Sequence, residues 1–400
     1  MMQPEKIQQL AAAYAADTIA VREHLHAHPE LSFQETNTVA YVAEQLRQLG
    51  LDPQPVAGTG LVALIEGRNS GSRVVALRAD MDALPIQEQN EVPYKSTNPG
   101  VMHACGHDVH TASLLGAARI LTQVRDEFEG TIKLLFQPGE ELLPGGASLM
   151  IKDGVLENPR PHSVLGQHVF PHLPAGKIGL RAGRYMASTD ELYLTVRGKG
   201  GHGAMPEQNL DPVVVAAHII VAAQQIVSRR ANPKLPSVLS FGKVIANGAT
   251  NVIPNEVYIE GTFRTLNEEW RNEAHQHLRT LCEGLAASMG ATCELEIRRG
   301  YPYLENEPRL TARTRQAAEE YLGADNVVEL DQWMAAEDFA YYSQVSDACF
   351  YRLGTRAADG RYAASVHTPT FDIDKQALEV GPGLMAWLAL HELAALPPAE

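Results

Sequence analysis

Apolar positions in the first fifty residues recur at helical intervals. Ile7, Leu10, Ala11, Tyr14, Ile19, Val21 and Leu25 mark a helix over 5–27, which Pro29 ends. A second helix fits 35–49, closed by Gly50. The period then shortens. Apolar runs at 61–65 and 74–77, separated by Asn69-Ser70-Gly71, predict two paired strands. Helical periodicity returns over 108–124, and 131–136 and 164–169 read as buried strands. Strands alternating with helices predict an α/β layer fold, with ligands bound beyond the strand C-termini. Asp82, Glu140, Glu141 and His168 would then stand at that edge.

From about residue 184 the pattern changes. Strands are expected at 190–196, 238–245, 257–265 and 291–297, and helices at 211–227 and 268–287. The order βαββαβ suits a compact α+β unit with helices on one face of an antiparallel sheet. After Pro308 the α/β alternation resumes, with helices near 309–322 and 374–395 and strands near 326–330 and 348–353. The second domain (184–299) therefore interrupts the first (1–183 and 300–400). The 400-residue length agrees, because one core seldom grows beyond about 250–300 residues.

Charge narrows the class of partner. Lys and Arg number 33 against 48 Asp and Glu, a net charge of −15, which disfavours nucleic acid and anionic membranes. The start of the chain does not read as a signal peptide and no stretch reads as a membrane span, so a cytoplasmic location is expected. Four cysteines are too few for a disulfide framework. The 15 histidines say more, because nine precede residue 173 and several neighbour Asp, Glu or Cys. That clustering points to a metal site.

Candidate ligands fall in four places. In Cys105-Gly106-His107-Asp108, one glycine lets a thiolate and an imidazole converge on one point. In Pro138-Gly139-Glu140-Glu141, one carboxylate of the pair can bind metal while its neighbour acts as a general base. His168 lies at an apolar strand end, and His367 precedes Thr368-Pro369. Cys105, His107, Glu141, His168 and His367 make five ligands. That exceeds the three of a typical catalytic zinc site and suits two ions sharing a bridge. Taken singly, each has a plainer reading: a buried cysteine, a loop Glu pair, hydrogen-bonded core histidines. Cys105 as a nucleophile activated by His107 or His110 is a weaker alternative, since Glu140, Glu141, His168 and His367 would have no task.

Taken in order, Leu77-Arg78-Ala79-Asp80-Met81-Asp82-Ala83-Leu84-Pro85, Cys105-Gly106-His107-Asp108, Phe136-Gln137-Pro138-Gly139-Glu140-Glu141 and His367-Thr368-Pro369 resemble the M20 metallopeptidases and amidohydrolases. The branch they are most similar to holds hippurate hydrolases, N-acyl-L-amino acid amidohydrolases and indole-acetyl-amino-acid hydrolases. The likeness runs from about residue 15 to 390. It implies a phosphorylase/hydrolase-like α/β domain whose central sheet is flanked by helices and carries two divalent ions (Zn, Mn, Co or Ni). It also implies an inserted ferredoxin-like α+β lid that forms a homodimer or higher homo-oligomer.

Residue by residue, the resemblance makes Cys105 the metal bridge and His107, Glu141, His168 and His367 the remaining ligands. Glu140 matches the general base and Asp82 the acid that supports the metal site. The wider family usually has a ligand histidine where Asp80 stands, and no ligand role is assigned to Asp80, His103 or His110. His202, in Gly201-His202-Gly203, matches the histidine that polarises the scissile carbonyl. Glu207 departs from the pattern, which usually has histidine after the proline. Asn251 and Arg264 match residues that hold a substrate carboxylate, a task suited to the planar fork of arginine. The implied substrate is an N-acyl amino acid, with short peptides (carboxypeptidase or dipeptidase action) as the alternative. A non-catalytic binding protein is the alternative of another class, disfavoured by the complete ligand and base set.

Overall fold

The computed structural model describes residues 2–71 and 73–396. The chain forms two compact units. One comprises the chain up to Gly183, Glu305–Asp331 and the chain from Asp338; the other comprises Arg184–Leu304 and Gln332–Glu337. The expected boundary at 299 therefore lies five residues early, and the short stretch 332–337 joins the inserted unit. No apolar period marks so short an excursion.

The larger unit is a mixed α/β layer built on an eight-stranded sheet. Its spatial order is Gln54–Val56, Gly60–Glu66, Thr131–Gln137, Val74–Asp80, Ser163–Pro174, Asp347–Arg356, Ile178–Leu180 and Val327–Glu329. The expected pairing of 61–65 with 74–77 is wrong. Thr131–Gln137 lies between them, antiparallel to Gly60–Glu66 and parallel to Val74–Asp80. All seven of its residues are buried, and a strand buried on both faces belongs inside a sheet rather than at its edge.

Helices Pro4–Ala27, His107–Gln123, Pro308–Leu322 and Ala377–Ala395 pack together and share a core with the sheet. His107–Gln123 is buried nearly all round, as expected of an apolar helix between layers. The central strands Val74–Asp80, Thr131–Gln137 and Ser163–Pro174 run parallel, so their carboxyl ends open on one edge. Asp80 stands opposite Gln137 there, and Arg78 opposite Gly166, two residues before His168.

The smaller unit is a four-stranded antiparallel sheet in the order Ser237–Ile245, Glu256–Thr265, Asp190–Arg197, Thr292–Arg299. Its core takes Leu192, Leu194 and Val196 from alternate positions of one strand, together with Val215, Ile219, Leu278 and Cys282 from helices Pro212–Gln225 and Glu268–Ser288. Alternate burial along the strand matches a sheet covered on one face. The helical run Pro212–Arg230 spans 19 residues at mean hydropathy 1.4, long and apolar enough to cross a membrane by composition alone. The expectation that no segment reaches that limit fails, although Val215, Ile219, Ala223 and Ile226 of this run lie in the core.

A buried ion pair anchors this unit. Arg271 donates two hydrogen bonds to Asp190, at 2.9 and 2.6 Å, and His275 Nε2 lies 2.6 Å from the same carboxylate. Burial alone would raise the Asp190 pKa, but His275 and Arg271 outweigh it and hold it below the ordinary value. A lowered folded pKa contributes stability above the unfolded value of about 3.9, lost as pH falls through the folded one. Asp190→Asn is expected to cost about 3 kcal/mol at neutral pH and to flatten the acid limb of stability. Urea unfolding between pH 2 and 7 measures both, and acid limbs of equal slope in variant and wild type would refute the assignment.

Candidate metal centre

Three segments leaving the carboxyl edge of the larger sheet converge with two loops. Val74–Asp80 ends on Asp80, with Asp82 two residues on. Thr131–Gln137 runs into Pro138-Gly139 and then Glu140 and Glu141. Ser163–Pro174 carries His168 within its buried stretch. Gly106 adopts φ +83° immediately before His107, the first residue of its helix. A Cβ there would lie 2.6 Å from a Val169 methyl, so only glycine lets this turn close against the strand of His168. Gly139 is equally constrained, at φ +56° with the Phe33 ring 2.3 Å from any Cβ.

Cys105 Sγ lies 3.4 Å from His168 Nε2 and 3.3 Å from His367 Nε2. Glu141 Oε1 stands 3.2 Å from His367 Nε2 and 3.9 Å from His107 Nε2. Two sets of three donor atoms, each set within 4.8 Å, therefore share one sulfur: Cys105, His107 and His168 in one, Cys105, Glu141 and His367 in the other. Glu140 joins His107 and Glu141 in an overlapping set. All five expected ligands and the expected base come together.

The donors suit cations. Among the described residues, His107 Nε2 and Glu141 Oε1 are buried atoms without a hydrogen-bond partner, a state that costs about 1–3 kcal/mol each when nothing else is bound. Sulfur and imidazole nitrogen are good ligands for zinc and neighbouring divalent ions. Burial alone would lower the His107 pKa, yet Asp80 and Asp82 hold it at about 10. Burial, Glu141, Glu140 and Asp80 together push the Cys105 thiol well up. The negative field that retains these protons also attracts metal, and binding releases them. His168 is held neutral, as a ligand must be, by burial and by Arg352 and His110.

Further residues fix the ligands. Asp82 Oδ1 lies 3.1 Å from His107 Nδ1, while Oδ2 accepts from the Glu141 backbone N–H (2.9 Å) and the Ser32 hydroxyl (2.6 Å). One carboxylate thus orients ligands of both sets. The Val169 N–H donates to His110 Nε2 (2.9 Å), so the His110 proton sits on Nδ1, 2.5 Å from Asp80 Oδ1. Asp80 is paired in turn with Arg78, which also reaches Asp338 at 2.7 Å. The Asp338 N–H donates to Glu140 Oε1 at 3.3 Å, and Glu35 accepts from Gly139 N–H at 2.8 Å. Asp80 and His110, left without roles by the sequence, are thus supports. His103 is buried with neither ring nitrogen hydrogen-bonded among the described residues, and burial lowers its pKa to about 4.

Three expected residues lie in the smaller unit. His202 pairs with Val252 across a two-residue ladder, and Gly203 N–H donates to Asn251 O at 2.8 Å, which brings His202 and Asn251 together. Arg264 lies near the far end of Glu256–Thr265, about 26 Å along that strand, half-buried and donating to Met334 O at 3.1 Å. Within this unit the structure does not bring Arg264 to the other two.

The model of Peptidase family M20/M25/M40 matches residues 76–391. The chain belongs to that family. It is a metal-dependent M20 hydrolase, and its fold matches solved M20 structures. The chain is 46% identical over 313 residues to an N-acyl-L-amino acid amidohydrolase of Geobacillus stearothermophilus, covering 77% of this chain and 84% of that one. It is 37% identical over 376 residues to thermostable carboxypeptidase 2 of Saccharolobus solfataricus, covering 93% and 94%. The crystal structure of the Bacillus subtilis YXEP protein, a dinuclear metal binding peptidase of the M20 family, superposes with a TM-score of 0.83 at 36% identity, covering 96% and 100%. The M20 match begins after Ser32 and Glu35, so these supports come from outside the matched region.

Asp82→Asn removes an acceptor shared by His107, Ser32 and the Glu141 backbone. The expected result is a 10- to 100-fold weaker affinity for metal in a folded protein. Chelator competition reads this directly, and unchanged affinity would remove Asp82 from the support of the site.

Proposed function

We propose that this M20 hydrolase cleaves the amide bond of N-acyl-L-amino acids of the hippurate or N-acetyl type. The single observation that carries the metal part is the sharing of Cys105 by two three-donor sets, with Glu140 beside them. Cys105, His107, Glu141, His168 and His367 would hold two divalent ions, of Zn, Mn, Co or Ni. Bound there, the ions supply an acidified water and a polarised carbonyl.

Glu140 is the proposed general base. It takes a proton from the attacking water and delivers it to the leaving amine, a role worth about 10²- to 10⁴-fold in rate. Its Oε1 is steadied by the Asp338 N–H, which limits its motion between the two transfers. His202 is proposed to donate to the oxyanion, where one donor is typically worth about 3–4 kcal/mol. Asn251 and Arg264 are proposed to hold the substrate carboxylate. The separation of Arg264 from Asn251 supports a homodimer in which two copies contribute to one substrate site. A cytoplasmic location is proposed with it.

The carboxypeptidase name of the Saccharolobus relative supports a second reading, cleavage of short peptides with a free carboxylate. A screen of N-acyl amino acids and dipeptides, on enzyme reconstituted with each metal, separates the two. Glu140→Gln is expected to keep both ions and lose at least about 100-fold in kcat. Near-normal turnover with both ions bound would overturn the base assignment.

A further inference from the structure

We propose that Arg22 is a positioning residue for the metal centre, a clamp that holds the His107 and His367 segments in register. The proposal rests on the ligand assignment above. Arg22 lies on the first helix and is fully buried. Its Nε donates to Asp108 Oδ2 at 2.8 Å and its Nη2 to Asp372 Oδ1 at 2.9 Å. Asp108 follows ligand His107 directly, and Asp372 stands five residues beyond ligand His367. One guanidinium thus joins two ligand-bearing segments some 260 residues apart in the chain.

His367 needs such a hold. Its backbone has φ +63°, which costs a residue with a Cβ about 1–2 kcal/mol, and its side chain is half exposed, so packing does not fix the ring. What fixes it is the backbone on either side. The His367 N–H donates to Ala104 O at 2.7 Å, beside the shared Cys105, and Asp372 is held by Arg22 and by the Tyr94 hydroxyl at 2.9 Å. On the other arm, His26 Nδ1 lies 2.7 Å from Asp108 Oδ2 and its Nε2 3.1 Å from Glu88, so Asp108 cannot swing away with its helix turn. Arginine suits the task because its rigid fork reaches two carboxylates at once, which an ammonium does with less directional control. Arg22 itself lies outside the region matched by the family model, which begins at residue 76, whereas Asp108 and Asp372 lie inside it.

Two variants test it. Arg22→Lys keeps the charge and loses the fork, whereas Asp372→Asn weakens one arm and leaves Asp108 paired. Zinc affinity is measured for each by chelator competition, together with the number of ions per chain and the thermal midpoint of the ion-free protein. Folded Asp372→Asn is expected to bind one of its two ions about 10- to 100-fold more weakly, and folded Arg22→Lys to lose affinity as well. A lowered midpoint with both affinities at the wild-type level in Asp372→Asn overturns the clamp, because a merely structural role predicts that pattern. Should Arg22→Lys fail to fold, Asp372→Asn decides alone. A wild-type protein that binds fewer than two ions overturns the ligand assignment itself, and the clamp with it.

Discussion

Buried like charges repel one another unless something answers them, and the carboxyl edge of the larger sheet concentrates that problem. Asp80, Asp82, Glu140 and Glu141 gather around Cys105 and His107, with the first three almost wholly buried. Removing a carboxylate from water costs several kcal/mol unless a cation or several donors replace the solvent. Arg78 answers Asp80, and His107 stands between Asp80 and Asp82. Glu141 Oε1 and the sulfur face the His367 ring, at 3.2 and 3.3 Å, and two divalent ions are the proposed remainder of the compensation. Metal binding and the electrostatics of this edge are then one question.

The fold meets this constraint by bringing distant segments to one place. Parallel strands end side by side, so Asp82, Glu140 and His168 arrive from three turns of the chain at one edge. Glycine at 106 and 139 lets two of the loops pass close to Val169 and Phe33. The N-terminal segment then closes the arrangement from outside the sheet: Ser32 bonds to Asp82, Glu35 holds the Gly139 N–H, and Arg22 spans Asp108 and Asp372. A helix that looks like simple packing from its apolar period therefore also carries charge into the interior.

Much of this was legible in the sequence, for identifiable reasons. Helix and strand positions follow from local period, and the ligands and base stand in short runs whose chemistry is local. Long-range arrangement left weaker traces. Nothing in 61–65 or 74–77 says that Thr131–Gln137 lies between them, because strand order depends on crossovers rather than on composition. Asp80 and His110 took no role because the bond that joins them spans thirty residues of chain. Arg22 reads as one more polar position on a helix, and only the folded chain reveals two carboxylates at its fork. The family resemblance alone carried His202, Asn251 and Arg264.

The central claim is that one sulfur serves two metal ions. Anomalous diffraction from crystals grown with zinc tests it most directly. The account predicts two peaks per chain, each about 2.3 Å from Cys105 Sγ, one also beside His107 and His168 and the other beside Glu141 and His367. A single peak, or two peaks of which one lies beyond bonding distance of Cys105, would contradict it.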